Sequence, residues 1–192
     1  EQRVEGYSVA SALKTVERAD VVNLIIDGRE GVSHQDGAIA HMVVEKGCGL
    51  CVVINKSDLL PNNTAEAEYR QFVYERIPHT SFCPVLFTSA LTGRNVGRIL
   101  ETDLRIHGNL HKHISTPSLN RAFKDFTSRL APSHGRGKQV KILYANQVKT
   151  APPTFLLFAN HPEAIPEHYK RYLENCLRDK FGFAGVPIRL VF

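Results

Sequence analysis

Asn55, Lys56, Ser57 and Asp58 carry the side chains best suited to reading a purine edge, and they follow directly on the apolar run Leu50, Cys51, Val52, Val53, Ile54. A carboxylate such as that of Asp58 accepts two hydrogen bonds, one from guanine N1–H and one from its exocyclic amine. Adenine offers no such donor pair. A buried acceptor stripped of its donors costs more than a lost apolar contact, so a loop of this kind filters sharply. A second group, Thr88, Ser89, Ala90 and Leu91, places its serine 34 positions after Asn55 and follows another apolar run, Pro84 to Phe87. Each group stands at the carboxyl end of an expected strand, the edge where open α/β sheets bind ligands. The plainer reading is a strand-to-helix loop in an α/β protein that holds no nucleotide.

These loops need a parallel sheet to bring them to one edge. Residues 21 to 27, Val-Val-Asn-Leu-Ile-Ile-Asp, are apolar on both alternating faces, as in a strand covered by helices on each side. Further strands are expected near 50 and 84. Helices are expected at about Ser8 to Arg18, 34 to 46, 64 to 77 with Asn63-Thr64 as cap, and Gly93 to Leu104. The first half therefore reads as βαβ units of a doubly wound parallel arrangement. The polar, glycine-bearing stretch Gly108 to His113 marks a junction, dividing the chain into 1–112 and 113–192. The second half opens with a helix from Pro117 to Leu130, capped by Ser115 or Thr116. Two antiparallel strands follow, Gln139 to Val148 and Thr154 to Asn160, joined by a turn with Pro152-Pro153. A helix from Pro166 to Phe181 sets Tyr169, Tyr172, Leu173, Cys176 and Leu177 on one stripe, and a last strand, Val186 to Phe192, completes αββαβ.

The two loop groups in this order, N-K-x-D and then S-A-L after the next strand, resemble the fourth and fifth guanine-nucleotide signatures of the translation-factor-related GTPases. Other segments narrow the resemblance: Tyr7-Ser8-Val9, Val16 to Val22, Ile114-Ser115-Thr116 with Leu119-Asn120-Arg121, Pro152 to Phe155, Tyr169 to Asn175 and Pro187-Ile188-Arg189. Over nearly its whole length the chain is similar to the Der (EngA) family of bacterial double-GTPases. It resembles that family's second GTPase domain from just past its third signature (1–112), joined to a carboxyl-terminal KH-like domain (113–192). The resemblance implies that Asn55 braces the loop, the aliphatic stem of Lys56 covers the base, Asp58 selects guanine, and Ala90 offers its N–H to guanine O6, with Ser89 and Leu91 beside it. It also implies GTP or GDP with Mg2+ as ligands of the complete protein. The implied role is assembly of the large ribosomal subunit through ribosomal RNA, in the cytoplasm, with an upstream GTPase domain of the same protein as a further partner.

The departures from that pattern bear on activity. GTP hydrolysis needs a glycine-rich loop around the phosphates with a Lys and a Ser or Thr behind it. The nearest stretch, Gly135-Arg136-Gly137-Lys138, has Pro132 in the first glycine's place and Gln139 where the hydroxyl should be. The D-x-x-G signature is missing too, since Asp27 precedes Gly31 by four positions. The expectation is a part of a longer protein that by itself neither hydrolyses GTP nor binds it tightly, with no catalytic residue of its own. The other functional class is a non-catalytic RNA-binding or protein-docking module.

Charge separates the halves. Residues 1–112 carry a net −2 and residues 113–192 a net +7. A domain with that excess attracts polyanions and loses affinity as salt rises, although a solvated basic face has the same composition. Lys138, Lys141 and Arg189 are the candidate RNA contacts. Gly182-Phe183-Ala184-Gly185 spells the G-x-x-G of RNA-clamping KH loops, yet that loop joins two helices, and here a helix meets a strand; a turn with Gly182 in the left-handed cap position is the favoured reading. Cys48 and Cys51 have redox-pair spacing but read as packed core thiols. His107, His111 and His113 read as solvated linker histidines, so no metal site is expected. Neither a leader segment nor an apolar run near the ~20 residues of a membrane span is visible. One physical consequence follows from the apolar strand at 21–27, which would form a sheet edge in this chain and template pairing with another chain. Light scattering at high concentration should show self-association; a strictly monomeric species would contradict it.

Overall fold

The computed structural model describes residues 15–61, 65–131 and 140–192. The chain divides into two compact units, the first ending at Gly108 and the second beginning at Asn109. The expected helix from Ser8, the Asn63-Thr64 cap and the loop containing Gly135 and Lys138 fall largely or wholly outside the described residues.

In the first unit, β1 (Val21–Asp27), β2 (Gly49–Asn55) and β3 (Val85–Phe87) form a parallel sheet in that order. β2 lies in the middle and is buried along almost its whole length. Its side chains alternate between two covered faces, which explains the unbroken apolar run. Leu50, Val52 and Ile54 join Leu24 and Ile26 of β1 in a core closed by α1 (His34–Lys46) and α2 (Glu66–Arg76) through Ala40, Val43 and Val73. The opposite face is covered by α3 (Gly97–Leu110), whose Ile106 reaches the backbone of Gly49 and whose Asp103 accepts a hydrogen bond from Asn23 Nδ2 at 2.8 Å. The sheet is therefore α/β with helices on both faces, as its pattern implied. β1 is the edge strand of the described sheet, and Ile25 on it is 61% exposed.

Local chemistry sets the helix ends. Ser33 caps α1: its hydroxyl accepts from Asp36 N–H while the Asp36 carboxylate accepts from Ser33 N–H, and Gly47 closes the helix in the left-handed region. α3 begins later than expected, at Gly97, because Gly93 and Asn95 both take positive φ and hold 93–95 out of the helix. It also runs further, to Leu110, so residues 108–110 of the supposed linker are helical, held by the buried Ile106 and Leu110. Cys48 and Cys51 are both buried free thiols, and burial pushes Cys51 up to about 12, which suits packing and not redox exchange.

The second unit runs α4 (Thr116–Arg129), β4 (Ile142–Lys149), β5 (Thr154–Ala159), α5 (Glu167–Phe181) and β6 (Arg189–Val191), the expected αββαβ order. β4 pairs antiparallel with β5, and β5 pairs parallel with β6. Helix residues Leu119, Phe123 and Phe126 pack with Tyr169, Leu173 and Leu177 over Ala145, Phe155 and Leu157 of the sheet. Ser115 stands at the start of α4 without a side-chain bond to the helix backbone; its hydroxyl meets Ser118 instead. The free edge of β4 is closed by Asn120, whose amide donates to Ala145 O and accepts from Ala145 N at 2.8 and 2.9 Å. Buried Gln147 ties the entering segment to the sheet, accepting from Ile114 N and donating to Lys112 O. Gly182 ends α5 at φ +72°, with its N–H donating to Arg178 O. Arg178 in turn donates to the carbonyls of Phe183 and Val186, and Lys112 to those of Phe181 and Gly182. The G-x-x-G stretch is thus a helix-ending turn whose carbonyls are held internally. The last strand is shorter than expected because Pro187 has no N–H to donate.

The contact between β2 and α3 is close enough to test. A Cβ on Gly49 would lie 2.4 Å from Ile106 Cγ2, both residues being buried, whereas one on Gly37 within α1 meets nothing within 4 Å. Gly49→Ala should destabilise the chain by ~1–3 kcal/mol, and Gly37→Ala should stabilise it by ~0.5–1 kcal/mol. Thermal or urea unfolding measures both; equal effects would contradict this packing.

Candidate nucleotide-binding site

β2 ends at Asn55 and β3 at Phe87, and the parallel register aligns Ile54 with Phe87, so both strands deliver their loops to the same edge. Thr88 N–H donates to Ile54 O and Ser57 N–H to Thr88 O, at 2.9 Å each, which extends the strand pairing into the loops. The decisive bond lies beyond it: Asn55 Oδ1 accepts from Ala90 N–H at 3.0 Å. Two groups separated by 34 positions are thereby one structure. Ser89 is fully buried; its N–H donates to Arg94 O and its hydroxyl accepts from Thr92 N–H, so the second loop folds back on itself. Asn95, in the left-handed region, braces it from below by donating to Phe87 O at 2.9 Å.

Lys56 also sits in the left-handed region, at φ +58°. Its ammonium pairs with Asp27 at the end of β1, the residue aligned with Asn55 in the register. The Lys56 hydrogen bond, helped by Arg29 N–H, holds the Asp27 carboxyl below its usual range, and Asp27 raises Lys56. Gly28 follows Asp27 with its N–H on Asn55 O at 2.8 Å, and a Cβ there would stand only 2.9 Å from that oxygen. Asp58 lies in the middle of a short helical turn, Ser57–Leu59, and is exposed, as are Ala90 and Leu91. The Ser57 hydroxyl beside it is buried with no hydrogen-bond partner among the described residues. The tip therefore presents an exposed carboxylate acceptor next to a buried hydroxyl. The Ala90 N–H assigned to guanine O6 is engaged by Asn55, so a base would share that proton with the amide or displace it.

A family model described as the elongation factor Tu GTP binding domain matches residues 9–108, and one described as the KH-domain-like, C-terminal domain of EngA bacterial GTPase enzymes matches 113–192. The chain belongs to the EngA (Der) family. Relatives named GTPase Der are 45% identical in Moorella thermoacetica, 41% in Gemmatimonas aurantiaca and 40% in Natranaerobius thermophilus, over 98 to 100% of this chain. The chain spans 43 to 44% of the length of those relatives. Among solved structures, Aquifex aeolicus Era bound to GDP and aluminium fluoride matches with a TM-score of 0.43 and 17% identity, covering 93% of this chain and 66% of that one. No helix among the described residues is long and apolar enough to cross a membrane.

The structure thus brings Asn55, Lys56, Asp58, Ser89, Ala90 and Leu91 to one sheet edge. Lys141 and Arg189 are exposed in the second unit, and Lys138 lies outside the described residues. Sequence reading missed Asp27 as the partner of Lys56, although an acid closing the neighbouring parallel strand was a usable signal. It also missed Asp20, whose Oδ2 stands 3.8 Å from His107 Nε2, so one carboxylate does approach that histidine.

The Lys56–Asp27 pair has a defined pH window. Asp27 is depressed in the folded state, so its contribution is complete above the unfolded carboxylate value of ~3.9 and is lost as pH falls through its lower folded value. Lys56 is raised, so its contribution is complete below ~10.4 and is lost as pH rises through its higher folded value. Carboxyl-detected NMR should find Asp27 titrating below ~3.9 and returning toward that value in Lys56→Met; no movement in the variant would refute the pairing.

Proposed function

We propose that this chain is the carboxyl-terminal part of a GTP-binding ribosome-assembly factor, and that its first unit reads the guanine base. The observation that supports this reading best is the Asn55–Ala90 bond, which joins the two loop groups into one tip with Asp58 exposed beside it. In this reading Asp58 accepts from guanine N1–H and the amine, Lys56 covers the base with its ammonium anchored on Asp27, and Ala90 reads O6. When bound, the nucleotide's phosphates and Mg2+ supply the hydrolytic chemistry. The residues gathered here serve the base side only: they hold no lysine–hydroxyl pair of the phosphate-loop type. Phosphate and magnesium contacts then come from a preceding segment of the longer protein, whose relatives are named GTPase Der. The same segment would pair with the edge of β1.

The functional division follows 1–112 as GTPase-domain part and 113–192 as KH-like domain. The second carries a net charge of +7, which supports a ribosomal RNA partner in the large subunit. The setting is cytoplasmic, and the upstream GTPase domain is the second partner.

Replacing the carboxylate by an amide reverses one hydrogen bond, because an amide donates where the carboxylate accepted. In the full-length protein Asp58→Asn should weaken GTP binding at least tenfold, ~1.4 kcal/mol or more, and shift preference toward xanthine nucleotides, measured with fluorescent nucleotide analogues. Unchanged GTP affinity would refute the role of Asp58. The chain alone should bind the same analogue weakly and hydrolyse nothing; submicromolar affinity would contradict the division of the site.

A further inference from the structure

The second unit buries one face of its sheet under α4 and α5 and leaves the other open. Register shows what occupies the open face. Tyr144 aligns with Phe158, Asn146 with Leu156 and Val191, and Lys149 with Thr154 and Arg189, three rungs across β4, β5 and β6. Tyr144 and Phe158 are 45% and 50% exposed, and their rings contact each other at a centroid distance of 5.9 Å. With Val191, 45% exposed on the next rung, the aromatic pair forms a contiguous exposed apolar patch of the kind that marks an interaction site.

Charge narrows the occupant. The five acidic residues of 113–192, Asp125, Glu163, Glu167, Glu174 and Asp179, lie on α4, on α5 or in the turn at Pro162–Ala164, and none lies on a strand. The charged side chains of the open face are cations, Lys149 and Arg189 on one rung, with the aromatic pair two rungs away and the half-exposed Val191 on the rung between. That rung separation is four residues of β5, about 13 Å of strand. Aromatic rings at one end and two cations at the other complement a strand whose bases are unstacked and whose phosphates follow the chain. A duplex presents phosphates but keeps its base faces stacked, so it would leave the aromatic pair unused.

We propose that the open face of the β4–β5–β6 sheet is a platform for unpaired RNA, on which Tyr144 and Phe158 stack bases while Lys149 and Arg189 hold phosphates. The proposal rests on the reading that this chain contacts ribosomal RNA, and it locates that contact on the sheet face and away from the Gly182–Gly185 turn. Each stacked base takes the place of water on an exposed ring, and each phosphate contact adds a salt-dependent increment.

The chain contains no tryptophan, so Phe158→Trp places a single reporter on the platform. The probe is a short labelled RNA without self-complementarity, compared with the same strand annealed to its complement, using the full chain at low and moderate salt. The single strand should quench the tryptophan and the duplex should not. Tyr144→Leu, Lys149→Ala and Arg189→Ala should each weaken single-strand binding about tenfold, ~1.4 kcal/mol, while Lys124→Ala on exposed α4 should change it less than twofold. Single-strand binding with unaltered emission and an indifferent Tyr144→Leu overturns the platform and leaves the ribosomal RNA reading standing. Emission that shifts with protein concentration alone shows a protein interface and overturns it likewise. Failure of both RNAs to bind at low salt overturns the platform and the RNA contact together.

Discussion

A single amide, that of Asn55, makes the candidate site one object. Strand pairing brings the ends of β2 and β3 side by side, but pairing stops at Thr88, and the loops beyond could each go their own way. The bond from Ala90 N–H to Asn55 Oδ1 closes that gap. Everything proposed for the first unit depends on it, because base reading needs an acceptor from one loop and a donor from the other at fixed separation. The rest of the unit reinforces the same edge: Lys56 reaches across to Asp27 on β1, and Gly28 gives its N–H to Asn55 O. Three consecutive strand ends are laced together, and this is possible only because β2, buried on both faces, fixes their register.

The second unit applies the same economy to a different end. Asn120 reaches from α4 to satisfy both backbone groups of Ala145 on the edge strand, and Gln147 satisfies the segment that enters the domain. These amides hold the sheet against its helices without covering its other face. A sheet supported from one side only leaves Tyr144 and Phe158 half in solvent, and because no acid lies on its strands the charged residues there are cations.

Much of this was legible beforehand for physical reasons. The run Leu50 to Ile54 could only be a strand covered on two sides, and the stripe from Tyr169 to Leu177 could only be a helix against a core. The αββαβ order followed from periodicity and turn residues. What escaped depended on tertiary register or on backbone conformation. The Lys56–Asp27 pair spans 29 positions and exists because Asp27 aligns with Asn55. The late start of α3 required knowing that Gly93 and Asn95 take positive φ, and its extension to Leu110 that Ile106 and Leu110 are buried. The engagement of Ala90 N–H by Asn55 needed coordinates, since spacing alone says that two loops are near and not which atoms meet.

The most direct test is an NMR titration of the isotopically labelled chain with guanosine monophosphate and, separately, adenosine monophosphate at millimolar concentration. Guanosine monophosphate should move the amide resonances of Asn55 to Asp58 and of Ser89 to Leu91 together, Ala90 most of all, while adenosine monophosphate leaves them in place. Equal shifts with both nucleotides, or movement of one loop without the other, would show that the two loops do not form a single guanine-reading tip.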